Sequence, residues 1–209
     1  MCSSDLKGKG DGIYINTAGI GVVETAAAVS AGRIRPGDVV LLSGEIGAHG
    51  IAVLSVREGL EFEAPIVSDT APVWPAVEAL IAAGIDIRCL RDATRGGVAT
   101  TLNELAGASG TGILLEEAQV PVAEPVRAAA ELLGLDPLYI ANEGRFLAIV
   151  PAAQSERALE ALRRVEVSAG ACLAGRVEDG PGGQVTLRSR LRGTRVLDLL
   201  SGEQLPRIC

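Results

Sequence analysis

The chain has 209 residues, of which 48% are hydrophobic but only 2% aromatic, so Ala, Val, Leu and Ile must build its core. Its net charge of -7 and the absence of a dense Lys/Arg cluster argue against a nucleic-acid partner. No apolar run reaches the roughly 18 to 20 residues that cross a bilayer, so we expect a cytoplasmic protein with no membrane partner.

Strands alternate with helices along most of the chain. Short apolar runs bounded by Gly or Pro predict strands over residues 39–43, 85–90, 112–115, 145–150, 184–188 and 194–197. Helical spacing predicts helices over 47–59, 71–83, 124–133, 154–164 and the segment after residue 97. The last two strands are expected to form a hairpin. This alternation predicts an α+β domain of mixed α/β layers, with helices packed on a sheet.

Two glycine-containing loops precede predicted helices. The first, 47–50, places His49 where backbone N–H groups favour an anion such as phosphate; alternatively, its glycines only permit a tight turn and His49 is a partly solvated cap. The second, 92–97, offers Asp92, Thr94 and Arg95 beside Gly96 and Gly97, a set that can cradle phosphates or hold Mg²⁺. Its alternative is an Asp or Thr helix cap with the arginine paired locally.

Glu143 lies between two apolar stretches, at the expected rim of the sheet. Partial burial favours its carboxylate as a general base, although an isolated glutamate in this setting is also an ordinary turn residue. The cysteines form no CxxC pair, which indicates neither a zinc site nor a disulfide framework. Cys89 and Cys172 lie in apolar strand patterns and are assigned no role.

The two ends of the chain depart from this pattern. Residues 1–6, which include Cys2, match no helix or strand pattern and are interpreted as an atypical start of foreign character. Residues 199–209 are predicted to form a flexible tail that reaches about 35 Å when extended. It ends on Cys209, whose thiolate the neighbouring Arg207 can stabilise; the alternative is an accidental exposed thiol.

Five segments together resemble the HypE-type hydrogenase maturation factors, which are carbamoyl dehydratases of the aminoimidazole ribonucleotide synthetase superfamily. They are Gly10-Asp11-Gly12-Ile13-Tyr14-Ile15-Asn16-Thr17, residues 43–52, residues 90–99, Ala141-Asn142-Glu143-Gly144 and the terminal Pro206-Arg207-Ile208-Cys209. The resemblance runs from about residue 7 to the end, and the Pro-Arg-Ile-Cys ending is its most specific part. It implies a synthetase-like C-terminal domain over 7–198, followed by a tail that carries the reactive cysteine.

The resemblance also implies a mechanism. A partner carbamoyltransferase loads a carboxamide onto Cys209, ATP phosphorylates the amide oxygen, and a base matching Glu143 removes N–H protons to leave a thiocyanate. The cyano group then passes to iron on a hydrogenase maturation scaffold complex. ATP and Mg²⁺ are the implied cofactors, with no resident metal. The implied cleft-lining residues are His49, Asp92, Thr94, Arg95, Gly96 and Gly97.

The sequence departs from the family in lacking the N-terminal domain that carries most of the ATP and Mg²⁺ site and the homodimer interface. The family usually has Asp-Thr-Lys shortly before the Gly-Lys-Gly-Asp-Gly stretch. A gapless alignment places Met1-Cys2-Ser3 at those positions, so the family's lysine has no counterpart there, and Lys7 is out of register. We therefore expect a fragment that is inactive by itself. The alternatives are another ATP-dependent synthetase or small-molecule kinase, and a non-catalytic module that docks maturation partners.

Overall fold

A computed structural model describes residues 18–20, 22, 28–180 and 182–199. The strands are β1 (Asp38–Leu42), β2 (Cys89–Asp92), β3 (Gly112–Glu116), β4 (Phe146–Pro151), β5 (Cys172–Glu178), β6 (Val185–Arg188) and β7 (Thr194–Val196). The α-helices are α1 (Ala48–Glu58), α2 (Trp74–Ala82), α3 (Gly97–Ser109), α4 (Glu124–Leu133) and α5 (Ser155–Arg163). Within these described ranges, no helix combines the length and the apolar character that crossing a membrane requires.

The strands form one sheet in the order β2-β4-β1-β5-β3-β6-β7, in which only the β3–β6 pair is parallel. Successive side chains of a strand point to opposite faces. Val40 and Leu42 therefore pack with α3 on one face, and Val39 and Leu41 pack with α2 and α5 on the other. Two helical layers on a mainly antiparallel sheet confirm the predicted α+β architecture.

A third apolar cluster joins α1 to α4 beside the sheet. Ile51 from α1, Val126 from α4 and Ile140 from the segment before β4 are its buried members that matter for the site. Because this cluster packs against the beginning of α1, it holds that end of the helix close to the segment that leads into β4.

Most predicted elements are present, and α4 has the predicted bounds. The strand predicted over 85–90 is wrong over residues 85–88, because β2 begins only at Cys89. The amide of Ile85 donates to Leu80 O and that of Ile87 donates to Ile85 O, so this segment turns although both isoleucine side chains are buried. The alternation of apolar residues here reflects burial, not strand pairing.

Two further differences concern β5 and α2. The apolar pattern around Cys172 is typical of a strand, but the predicted elements do not include β5. It pairs with both β1 and β3, and Gly175 lets its backbone approach Leu114 closely. Helix α2 begins at Trp74, later than the predicted residue 71, and Gly84 follows it with the left-handed φ of 64° expected at a helix end.

Candidate functional site

Asn142 joins the three loops singled out from the sequence. Its fully buried side chain accepts a hydrogen bond from Gly47 N at 2.8 Å through Oδ1. Its Nδ2 donates to Ala93 O at 2.8 Å and to Ile140 O at 3.1 Å. Because β4 runs antiparallel to β1 and β2, loops 47–50, 92–97 and 142–144 meet at one edge of the sheet.

The start of α1 shows why loop 47–50 is rich in glycine. Gly47 has φ of 87°, and a Cβ on Gly50 would lie 2.3 Å from the Ile140 side chain. The alternative role of His49 as a helix cap is wrong, since α1 has no side-chain cap. Its half-buried ring instead places Nδ1 2.9 Å from Ser68 Oγ, while Nε2 is buried without a hydrogen-bond partner among the described residues.

The start of α3 follows the same principle. Gly96 is the N-cap of the helix, with φ of 71°, so the alternative of an Asp or Thr cap is wrong as well. A Cβ on Gly97 would lie 2.5 Å from Leu138 O, so this glycine allows two backbone segments to touch. Backbone geometry and packing thus explain why glycine occupies positions 96 and 97. Contact of these two glycines with a cofactor stays a prediction.

The polar side chains of loop 92–97 lie at the surface beside this junction. Asp92 ends β2 with its carboxylate exposed and 3.4 Å from the guanidinium of Arg91. Thr94 is half-buried and Arg95 is exposed. These three groups are accessible to a phosphate or a metal-bound ligand.

Asp69, which was not predicted, holds the backbone of Glu143. Its side chain is only 2% exposed, and its Oδ1 accepts from Glu143 N at 3.0 Å. Gly144 makes the close approach possible, because a Cβ there would lie 1.9 Å from Asp69 O. Glu143 itself is half-buried. A single aspartate in a polar Ser-Asp-Thr stretch carries little signal in the sequence, so only the fold reveals this contact.

Arg145 lies beside the same carboxylate. Its Nε donates to Glu45 O at 2.9 Å and is 4.0 Å from Asp69 Oδ2. Asp69 Oδ2 is buried and has no hydrogen-bond partner among the residues the structure describes. A cavity of about 260 Å³ lies in this region and is lined by Glu45, Ile46, Ala48, Pro65, Ile66, Val67, Ser68, Asp69, Ala123, Pro125, Val126 and Arg145.

The last described segment of the chain is fastened close to this site. Tyr139 OH donates to Asp198 O at 2.7 Å, and Asn103 Nδ2 donates to Leu197 O at 2.8 Å. Burial raises the pKa of the Tyr139 phenol, which keeps its proton available for this bond. Cys209 and Cys2 lie outside the described residues. Residues 197 and 198 are therefore held by α3 and by the segment that leads to Glu143.

The cysteines within the described part of the chain are poor nucleophiles. Burial raises the pKa of Cys89, and it raises that of Cys172 to about 11. Both thiols are therefore protonated near neutral pH. In the same part of the chain, no group of three or more His, Cys, Asp or Glu side chains has the arrangement to hold a metal ion.

Comparison with known proteins gives consistent results. The family model for the C-terminal domain of AIR synthase related proteins matches residues 35–188. A carbamoyl dehydratase HypE of Azotobacter vinelandii is 54% identical over 202 residues, which cover 97% of this chain and 59% of that relative. The chain thus spans less than two thirds of the length of the curated relatives it matches.

Solved structures agree with the sequence relatives. A crystal structure of hydrogenase maturation protein HypE in complex with ATP superposes with a TM-score of 0.85 at 45% identity, covering 90% of this chain and 57% of that one. A crystal structure of a HypE–HypF complex matches with a TM-score of 0.80 at 42% identity, covering 84% of this chain and 57% of that one.

Proposed function

The chain belongs to the AIR synthase-related family, as a HypE-type C-terminal domain, and from that premise we propose that it takes part in making a thiocyanate from an S-carboxamide. The carrier of this group is the thiol of Cys209. The product supplies the cyanide ligand of a [NiFe]-hydrogenase iron. The observation that carries the proposal is the junction at Asn142. It brings Glu143 together with loops 47–50 and 92–97, the two helix-entry loops.

The proposed reaction balances around the carboxamide –S–C(=O)–NH₂. ATP supplies a phosphoryl group that turns the amide oxygen into a phosphate leaving group. The amide nitrogen loses both of its protons, the C–O bond breaks and phosphate departs, so that –S–C≡N remains. Glu143 is the proposed proton acceptor, because this residue is half-buried at the loop junction and Asp69 fixes its backbone.

The helix-entry loops are the proposed lining of the cleft that receives the tail. Asp92, Thr94 and Arg95 fit phosphate and Mg²⁺ binding because their polar groups reach the surface beside the start of α3. Gly96, Gly97 and His49 complete the proposed lining, although the glycines also have the packing roles described above. ATP binding is supported by the related HypE structure in complex with ATP.

We assign the partners by the same reasoning. The HypE–HypF complex supports a carbamoyltransferase maturation factor as the donor of the carboxamide. An iron-carrying scaffold complex is the proposed acceptor of the cyano group, and the reaction is placed in the cytoplasm. The chain spans 59% of the relative from Azotobacter vinelandii. We assign most of the ATP and Mg²⁺ site, and a homodimer interface, to the portion of the relatives that this chain does not match.

Because most of the ATP and Mg²⁺ site is assigned to that unmatched portion, we expect that the 209-residue chain alone neither binds Mg-ATP tightly nor dehydrates a carboxamide. Isothermal titration calorimetry of the chain with Mg-ATP tests the first point. A dissociation constant in the low micromolar range would contradict it. Residues 7–198 are the proposed C-terminal domain, and 199–209 the proposed carrier tail.

Mass spectrometry of the peptide that ends at Cys209 tests the proposed function directly. The chain is supplied with the missing ATP domain, the carbamoyltransferase, carbamoyl phosphate and Mg-ATP. We expect a carbamoyl adduct on Cys209 that converts to a cyano adduct. An unmodified thiol, while a full-length relative is modified in parallel, would contradict the proposal.

A Glu143→Gln variant tests the proton acceptor. We expect the carbamoyl adduct to form normally and its conversion to slow by about 10²- to 10⁴-fold. The control is Glu58→Gln, since Glu58 is exposed at the far end of α1, about 16 Å along the helix axis from its start. Equal conversion rates in the two variants would remove Glu143 from the mechanism.

A further inference from the structure

The segment that carries Asp69 depends on side chains for its position. None of residues 61–72 makes a backbone–backbone hydrogen bond with another residue that the structure describes. Phe62 and Ile66 pack against the third apolar cluster, and Val73 packs against the cluster between the sheet and α2. Between Ile66 and Val73, the backbone is therefore fixed by the polar contacts of Ser68 and Asp69.

His49 holds Ser68 from outside this segment. Its Nδ1 lies 2.9 Å from Ser68 Oγ, which belongs to a residue nineteen positions later. Ser68 Oγ also accepts from Thr70 N at 3.1 Å and lies 2.7 Å from Thr70 Oγ1. These two contacts close a short turn with Asp69 in its middle. His49 thus fastens that turn to the beginning of α1.

Asp69 passes its position on to Glu143. The carboxylate is 2% exposed, and its Oδ1 accepts from Glu143 N at 3.0 Å. The backbones also touch at this point, because a Cβ on Gly144 would lie 1.9 Å from Asp69 O. A shift of the turn around Asp69 therefore moves the backbone that carries the Glu143 side chain.

We propose that His49 is a positioning residue for Glu143. Through Ser68 it sets the place of Asp69, and through Asp69 it sets the place of the proposed proton acceptor. The inference deepens the proposed function and rests on it for the role of Glu143. A base must lie within hydrogen-bond reach of the proton it removes, so a loosened turn would slow the reaction without weakening the binding of ATP.

The two ring nitrogens of His49 favour this role over direct contact with a cofactor. Nδ1 is engaged by Ser68 Oγ. Nε2 is buried and has no hydrogen-bond partner in the part of the chain that the structure describes. The contact at Nδ1 is therefore the hydrogen bond that orients the ring, and His49 contributes to the cleft by holding the turn at 68–70.

The first test measures hydrogen exchange of the Glu143 amide by NMR, in the complete 209-residue chain without ATP or a carbamoyl donor. This amide donates to Asp69 Oδ1, so its exchange rate reports how firmly the turn is held. His49→Phe keeps a ring and removes the nitrogen atoms, whereas His49→Asn removes the ring and keeps a polar atom near the place of Nδ1. We expect exchange about five- to ten-fold faster in His49→Phe and nearly unchanged in His49→Asn.

Three controls limit the interpretation. The Asn142 amide donates to a backbone carbonyl and should keep its exchange rate in every variant. Ser68→Ala removes the same contact from its other side. It should reproduce the effect of His49→Phe, with nothing added in the double variant, and it keeps the test decisive if thermal unfolding shows that His49→Phe does not fold. Ser55→Ala is the matched variant on α1, since Ser55 Oγ donates to Ala52 O within the helix.

Three exchange results would overturn the proposal. They are an unchanged Glu143 amide in both His49→Phe and Ser68→Ala, an equal acceleration of the Asn142 amide, and equal rates in His49→Phe and His49→Asn. The last of these would assign the effect to packing of the ring.

The second test measures conversion of the carboxamide on Cys209 over a range of ATP concentrations, in the mixture described above. Positioning predicts that His49→Phe lowers kcat about ten-fold at an unchanged KM for ATP. A raised KM together with unchanged Glu143 exchange would mean direct cofactor contact and would overturn the proposal. Because the exchange test involves no dehydration, its failure would leave the carrier chemistry standing. Absence of conversion in the unsubstituted chain would contradict the proposed function, and exchange would then decide the positioning role alone.

Discussion

Replacing Asn142 by Ala should show how much of the domain's stability depends on the loop junction. The substitution removes three buried side-chain hydrogen bonds: one from Gly47 N at 2.8 Å, and those to Ala93 O at 2.8 Å and Ile140 O at 3.1 Å. It leaves the backbone bond from Asn142 N to Ala93 O in place. Gly47 N, which is buried, would lose its acceptor.

The expected loss follows from these contacts. Each net hydrogen bond contributes about 1 kcal/mol, so the three bonds together give about 3 kcal/mol. Asn142→Asp should cost more. It keeps an acceptor for Gly47 N but places a second oxygen against the carbonyl oxygens of Ala93 and Ile140, in a fully buried position.

Urea denaturation followed by circular dichroism measures both losses. Asn103→Ala is the control: Asn103 donates to Ala99 O at 2.9 Å and Leu197 O at 2.8 Å, away from the junction. We expect that variant to lose about 1 kcal/mol, because its side chain is only partly buried. A loss below about 1 kcal/mol for Asn142→Ala, at unchanged m-value, would refute the reasoning.

Two further predictions concern packing and pH. Gly97→Ala should cost about 3 kcal/mol or more, because φ is 61° and the new Cβ would lie 2.5 Å from Leu138 O. In the same helix, the new Cβ of Gly107→Ala meets nothing within 4 Å, so this variant should be more stable by about 0.5 to 1 kcal/mol. Equal urea midpoints for the two glycine variants would contradict this reasoning. Burial raises the pKa of Cys172 from 9.0 to about 11, so the unfolded chain releases this proton first and stability falls as pH rises from 9 toward 11. Allowing for partial exposure, the loss is about 2 kcal/mol, and urea titrations across this range should find it absent from Cys172→Ala.

The sequence determined which segments form the layers. Apolar periodicity predicted the helices and most strands within a few residues, since burial on one face imposes a period of 2 or 3.6. It failed over residues 85–88, where Ile85 and Ile87 alternate with polar residues but the backbone turns. Alternation reports which side chains are buried, and a buried turn satisfies that pattern as well as a strand does.

The sequence by itself also marked the loops that matter, because glycines before a helix indicate a left-handed φ or a close approach of two backbones. Only the tertiary structure decided what holds these loops together. Asn142 bonds residues 95 and 49 positions earlier in the chain, and Asp69 bonds Glu143 across 74 positions. A buried polar side chain selects its partners by three-dimensional proximity. Such contacts leave no periodic or local signal in the sequence, so the fold alone shows where they form.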